Sequence, residues 1–205
     1  MNMHRLLILG IGVLALAGCG GILPKPEPAP SLYRLTAAGD FPASPAASPT
    51  QLLISLPVAE AGLDTTRIAL ARSSTTLDYF ADAAWTGRLP SLLQARLVET
   101  FENAHRIAAG AEPSDLHADD LLALDLRHFE AVYAGPGAPR WRIEIGAKLI
   151  GLPERKLLAE RAFRGEVEVP RNDMAVIIES ADEDWRGIAR QIADWAAQTL
   201  VTSRR

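Results

Sequence analysis

The chain has 205 residues, a net charge of -4, 48% hydrophobic residues and one cysteine. That hydrophobic content excludes a disordered chain, and the small net charge excludes a strong field for attracting nucleic acid. A single cysteine excludes an intrachain disulfide, even in an oxidising compartment.

The chain opens on a short basic region ending at Arg5, with His4 beside it. Leu6 to Ala17 is apolar or small throughout. It is too short for a membrane span, which needs about 20 residues. A basic start, a short apolar run and small residues at its end describe a secretory signal peptide over residues 1–18. Leu16-Ala17-Gly18-Cys19 resembles a bacterial lipobox, in which a peptidase cuts before a cysteine carrying lipid. Cys19 is therefore the expected lipid attachment site, bearing acyl chains such as palmitate. Two or more chains hold a protein stably at a membrane, whereas one holds it only marginally. Gly20 stands where an Asp tends to retain lipoproteins of enteric bacteria at the inner membrane. The expected place is the periplasmic face of the outer membrane rather than the inner membrane.

Residues 19–30 form the tether. Pro24, Pro26, Pro28 and Pro30 fall at every second position, which fixes φ and removes backbone donors. An extended polyproline chain rises about 3.1 Å per residue, so the tether spans roughly 30 Å.

Residues 31–205 read as one domain, long enough for a real core. Ser31–Thr36 reads as a first strand, and Pro42, Pro45 and Pro49 mark Ala37–Thr50 as a loop. Leu52, Ile54, Leu56 and Val58 alternate, as in a half-buried strand over 51–58. Gly62-Leu63-Asp64 predicts a turn, Thr66–Ser73 a strand, and Leu77–Phe80 another short one. Trp85 precedes a helix, and Pro90 suits its first turn. Leu89, Leu93, Leu97 and Phe101 recur every four residues on one face, and the helix ends before Gly110.

Leu121–Tyr133 carries two apolar phases. Leu122, Leu124 and Leu126 share one parity; Phe129, Ala131 and Tyr133 share the other. One strand buries both sets on one face only if a residue is inserted, which predicts a β-bulge near Arg127-His128. After the turn at 135–139, Trp141, Ile143, Ile145, Ala147 and Leu149 alternate with polar residues or glycine. Pro153-Glu154-Arg155 turns the chain, and Leu157, Ala159, Phe163, Val167 and Val169 continue the alternation. These three strands predict an antiparallel meander.

Asn172 or Asp173 can cap a last helix, and Gly187 is a candidate break within it. Met174, Ile178, Ala181, Trp185, Ile188, Ile192, Trp195 and Thr199 form a stripe. The stripe could be a coiled-coil seam, but a sheet with one polar face needs a cover on the other, which favours packing on the domain's own sheet. The expected fold is α+β: a mixed or antiparallel sheet covered by two helices.

No nucleophile elbow, zinc-protease helix or phosphate loop occurs. His105, His117 and His128 fall in different elements. His117 with Asp119 and Asp120 reads as a polar turn before it reads as a metal site, and Asp182-Glu183-Asp184 reads as a solvated helical face or local cap. The expectation is a protein without catalytic residues, metal or cofactor beyond the lipid on Cys19.

Leu32-Tyr33-Arg34-Leu35, Gly62-Leu63-Asp64 before Arg67-Ile68-Ala69-Leu70, and Leu77-Asp78-Tyr79-Phe80 before Trp85 resemble the ABC-type transport auxiliary lipoproteins. That family includes the paraquat-inducible protein C-like lipoproteins. Leu122–Phe129 and the Trp141 strand fit its second half, whereas Thr86-Gly87 departs from the residues usual around the tryptophan. The resemblance implies a membrane-anchored accessory of an ABC transport system for lipids. It would dock on an MCE-domain protein. A periplasmic lipid carrier and an envelope-stabilising lipoprotein are the alternatives. Cargo, direction and docking surface stay open, as does assembly into a homo-oligomer.

Overall fold

Apolar alternation is longest in the second half of the chain, and there it produces the longest strands. The computed structural model describes residues 29–42, 48–113, 117–152 and 154–204. Cys19 and the tether up to Pro28 lie outside the described residues. Five strands come first: β1 (Ser31–Tyr33), β2 (Ser48–Ile54), β3 (Val58–Ala59), β4 (Arg67–Ser73) and β5 (Thr76–Trp85). After α1 (Leu89–Ala104) follow β6 (Ile107–Ala111), β7 (Asp120–Val132), β8 (Arg140–Gly151), β9 (Lys156–Glu168) and α2 (Met174–Ser203). The fold is the expected α+β one, with a mixed sheet of nine strands and two helices.

β7 is the spine. β8 runs antiparallel along one side of it, and β9 pairs antiparallel with β8, so the meander is as expected. Along the other side of β7, short strands β2, β3 and β4 lie end to end, all parallel to it. β2 then carries β6, while β4 carries β5 and β5 carries β1. The predicted strand over 51–58 is thus two strands with a break. Leu56 and Val58, expected half-buried, are exposed (49% and 69%): the break between β2 and β3 changes the phase, so that Val58 pairs with Asp125 on the face away from the helices and Ala59 with Leu126 on the core face. β1 is shorter than expected, β2 begins inside the predicted loop, and β5 runs on to Trp85.

The bulge is where two apolar phases demanded it. Leu126 pairs with Ile145 and His128 with Glu144, leaving Arg127 as the inserted residue. Leu122, Leu124, Leu126, Phe129 and Ala131 are therefore all buried on one face. Deleting Arg127 restores simple alternation without moving any of them across the sheet. The deletion variant is expected to remain folded, with a melting midpoint within about 5 °C of the parent, since exposed ion pairs contribute only about 0–1 kcal/mol each. Circular dichroism melts check this. A chain without a cooperative transition would show that Arg127 is needed for the register itself.

α1 presents Leu89, Leu93, Leu97 and Phe101 to the core, and each such side chain stabilises by about 1.5–3 kcal/mol on burial. It closes at Ala104, where His105 takes a left-handed conformation (φ 50°) and donates its N–H to Glu102 O. β6 follows, a strand too short to show in periodicity. α2 is capped by Asp173, whose Oδ1 accepts from the N–H groups of Ala175 and Val176. Asn172 instead accepts from the Tyr133 hydroxyl. Gly187 does not break α2, which runs unbroken from Met174 to Ser203. Ile178, Ala181, Trp185, Ile188 and Ile192 face the sheet as expected, joined by Ala189, Ala193, Ala196 and Leu200, while Met174, Trp195 and Thr199 are half-buried at the stripe's margin.

The acidic run on α2 is not simply a solvated face. Asp182 accepts from both the backbone N–H and the hydroxyl of Thr36, pinning the segment after β1 to the helix. Asp184 lies against Gly165 of β9, where any Cβ would collide with its carboxylate. Burial, aided by the charge of Glu183, pushes the Asp184 carboxyl up to about 6. The unfolded value is about 3.9, so between these values the folded chain holds more protons, and stability rises as pH falls from about 6 towards 4. Asp184→Asn is expected to stabilise the protein at pH 7 by about 1 kcal/mol, a figure reduced for partial solvent screening, and to lose that advantage near pH 4. Urea titrations of both proteins at the two pH values decide it. An equal difference at both would remove the charge as the cause.

Candidate functional site

Two surfaces stand out once the helices are seated on one face of the sheet. The first is a corner built by the motif residues of the N-terminal half. Asp64 receives Arg88 Nε at 2.9 Å and Nη2 at 2.5 Å, tying the Gly62–Thr65 turn to the start of α1. The Leu89 N–H donates to Thr65 O at 3.0 Å, and the Trp85 N–H to Thr66 O at 2.7 Å. The Tyr79 hydroxyl donates to Gly62 O at 3.0 Å, and Arg67 lies over the Tyr79 ring at 3.6 Å. A Cβ on Gly62 would stand 2.7 Å from the end of the Leu77 side chain, so glycine lets the turn approach β5 without displacing that leucine. Arg88 holds the Asp64 carboxyl below the usual carboxylate range. The Thr86 N–H reaches Tyr33 O at 2.8 Å, which adds β1 to the corner. Segments separated by up to about fifty residues thus meet at the strand where the tether enters the domain.

The second surface is the sheet face away from the helices. Arg127, put there by the bulge, lies over Gly146, where a Cβ would come within 2.9 Å of its guanidinium. It donates to Asp125 at 2.9 Å and Glu144 at 3.2 Å, and Arg164 donates to the same Glu144 at 2.9 and 3.1 Å. Hydrogen bonds from Arg164 first, then Arg127, hold the Glu144 carboxyl below its ordinary value. On one side of Arg127 lies a groove of 610 Å³ lined by Val58, Ala123, Lys148, Glu160 and Ala162. On the other lies a wider one of 910 Å³ between the β4–β5 turn and β7, lined by Arg72, Thr76, His128, Glu130 and Arg142. Both are mixed in charge, open and shallow, which suits a protein surface better than a buried small ligand.

The expected site residues fall as follows. Cys19 lies outside the described residues. Asp119 accepts the Gln51 N–H at 2.9 Å, and Asp120 accepts from Arg204 at 2.7 Å, so both acids serve the fold. Among the described residues no three His, Cys, Asp or Glu side chains gather for a metal. His128 Nδ1 and Glu130 Oε1 are 2.8 Å apart, and Glu130 Oε2 takes the Phe129 N–H, so the pair braces the strand beyond the bulge. The two apolar phases of β7 predict the bulge but not the grooves flanking it. The signal was Gly146, the one residue without a side chain on the polar side of an otherwise regular strand.

The family model described as ABC-type transport auxiliary lipoprotein component matches residues 33–193. The chain belongs to that family. Tyr33, the Gly62–Asp64 turn, Trp85, the bulge and Gly146 all lie inside the matched stretch. An uncharacterized protein of Bradyrhizobium diazoefficiens, bll6063, is 31% identical over 145 residues, 70% of this chain. The chain spans only 38% of that relative's length. The crystal structure of protein XCC0632 from Xanthomonas campestris superposes with a TM-score of 0.78 at 24% identity, covering 85% of this chain and 98% of the other. A second uncharacterized crystal structure gives 0.64 at 16% identity, covering 82% and 99%. These auxiliary lipoproteins are envelope proteins associated with ABC-type transport. Among the described residues, no helix of this one is long and apolar enough to cross a membrane.

Proposed function

We propose that this lipoprotein serves an ABC-type lipid transport system by docking on its MCE-domain component, held by acyl chains on Cys19 at the periplasmic face of the outer membrane. The carrying observation is the family match over residues 33–193, behind a lipobox and a proline tether. The tether gives reach of roughly 30 Å, and confinement to a membrane raises the effective concentration of any contact the domain makes. In this reading the protein acts by position, without catalysis, metal or cofactor. The shallow ionic face between the two grooves suits such a contact, because complementary charge sets register and rate of association more than affinity.

The test is crosslinking in cells followed by recovery of the acylated protein. Recovery of the MCE protein, lost when the folded domain is deleted but the anchor kept, supports docking. Recovery of other envelope components without the MCE protein overturns it. Lipid released by solvent extraction of the purified protein would favour a carrier with its own cavity.

A further inference from the structure

β9 is bonded by β8 on one side and by no strand on the other. It is 13 residues long and contains no proline, whereas proteins blunt exposed sheet edges with short strands, proline or bulges. From Ala159 to Glu168 its ladder with β8 is continuous. The Val169 N–H donates to Pro139 O at 3.1 Å, which fixes the phase of that ladder. The odd-numbered residues of β9 are bonded to β8, so Glu160, Ala162, Arg164, Glu166 and Glu168 turn their N–H and C=O groups to the open side. No other described backbone group bonds them there.

The 610 Å³ groove beside Arg127 reaches this same edge at residues 160–162. Val58, Asp125, Gly146 and Ala162 form one cross-strand row on the face away from the helices. Gly146 and half-buried Ala162 keep the outer end of that row low, while Lys148 and Glu160 stand in the next row. Ala123 and the exposed Val58 add apolar wall further in. A strand laid along β9 seats one of its side chains over Ala162, at the mouth of the groove. Around that position the edge is mainly acidic on the same face, with Glu160, Glu166 and Glu168 against Arg164. Glu160 is exposed and forms no ion pair among the described residues, and Arg164 is already held by Glu144.

We propose that the docking partner adds an extended segment to β9, basic at alternate positions and with an apolar side chain seated over Ala162. The proposal rests on the docking reading above and supplies its mode. Main-chain hydrogen bonds along a sheet edge give affinity, and a pocket for alternate side chains gives specificity. Opposite charges facing each other across strands stabilise the pair, which makes basic residues the fitting partners of Glu160 and Glu168.

The experiment uses the full-length acylated protein in cells, with a photocrosslinking side chain at position 168. The MCE protein is expected to be recovered through a peptide with Lys or Arg at alternate positions. Ala162→Pro removes one outward N–H and none of the bonds to β8. It is expected to lower that recovery about tenfold while the cooperative melt is retained. Glu160→Lys changes an exposed side chain, is expected to lower recovery several-fold, and decides the case if the proline variant does not fold. Unchanged recovery in both variants would overturn the edge mode and leave docking itself standing. A parent protein that recovers no MCE protein would overturn both. A crosslinked peptide without alternate basic residues, or one from a second copy of this chain, would also overturn the proposal.

Discussion

Phe129→Ala is expected to cost about 3–5 kcal/mol of folding free energy, most of the margin of an ordinary domain. Phe129 is fully buried one residue beyond the bulge pair, on the core face of the spine strand. Its ring meets Trp141 at 5.3 Å, Trp85 at 6.0 Å and Trp185 at 6.5 Å, all edge-on. Those partners come from β8, β5 and α2, so one side chain joins both arms of the sheet to the helix that covers them. Truncation leaves a cavity bounded by three indoles, which relax poorly because each is itself fully buried. Urea denaturation followed by tryptophan fluorescence measures the loss. A change below about 1 kcal/mol would mean that the arms are held by their hydrogen-bonded ladders alone.

Cys19→Ala is expected to abolish fatty-acid incorporation, reducing the label to background. Cys19 is the sole thiol in the chain, so no second residue can take the thioether. Each buried CH₂ of an acyl chain stabilises membrane binding by about 0.8 kcal/mol, and stable anchoring needs more than one chain. The described residues offer no spanning helix as a substitute. Metabolic labelling with a radioactive fatty acid, compared with the parent, is the measurement. Equal label in the substituted protein would sink the lipoprotein reading of Leu16–Cys19. Under the proposed function the same substitution also removes the MCE protein from the crosslinked fraction, because an untethered domain loses its effective concentration.

Much of the second half of this fold was legible from residue order. The Trp141 strand, the turns that flank it and the bulge at Arg127 all follow from local alternation. A strand's faces differ at every residue, so one inserted residue is visible as a change of phase. The Asp173 cap and the four-residue spacing of α1 and α2 are local for the same reason.

Tertiary structure alone decided the rest. β2, β3 and β4 share one side of β7 in parallel, an arrangement that depends on long-range pairing and leaves no mark in any short window. Leu56, Val58 and Leu157 fit apolar alternation yet stay exposed: the break before β3 and the irregularity near Leu158 change the phase, which sets Val58 opposite Asp125 and Leu157 opposite Ile150 on the face away from the helices. Asp184 reads as a surface acid until β9 is placed beneath it. The face proposed for docking emerged the same way. Asp125, Arg127, Glu144 and Arg164 are ordinary polar residues on separate strands, and only their cross-strand register turns them into one ionic surface with a groove on either side of Arg127. Cys19 lies at the opposite limit: its expected lipid attachment rests on the short linear motif Leu16–Cys19, which residue order displays without any tertiary structure.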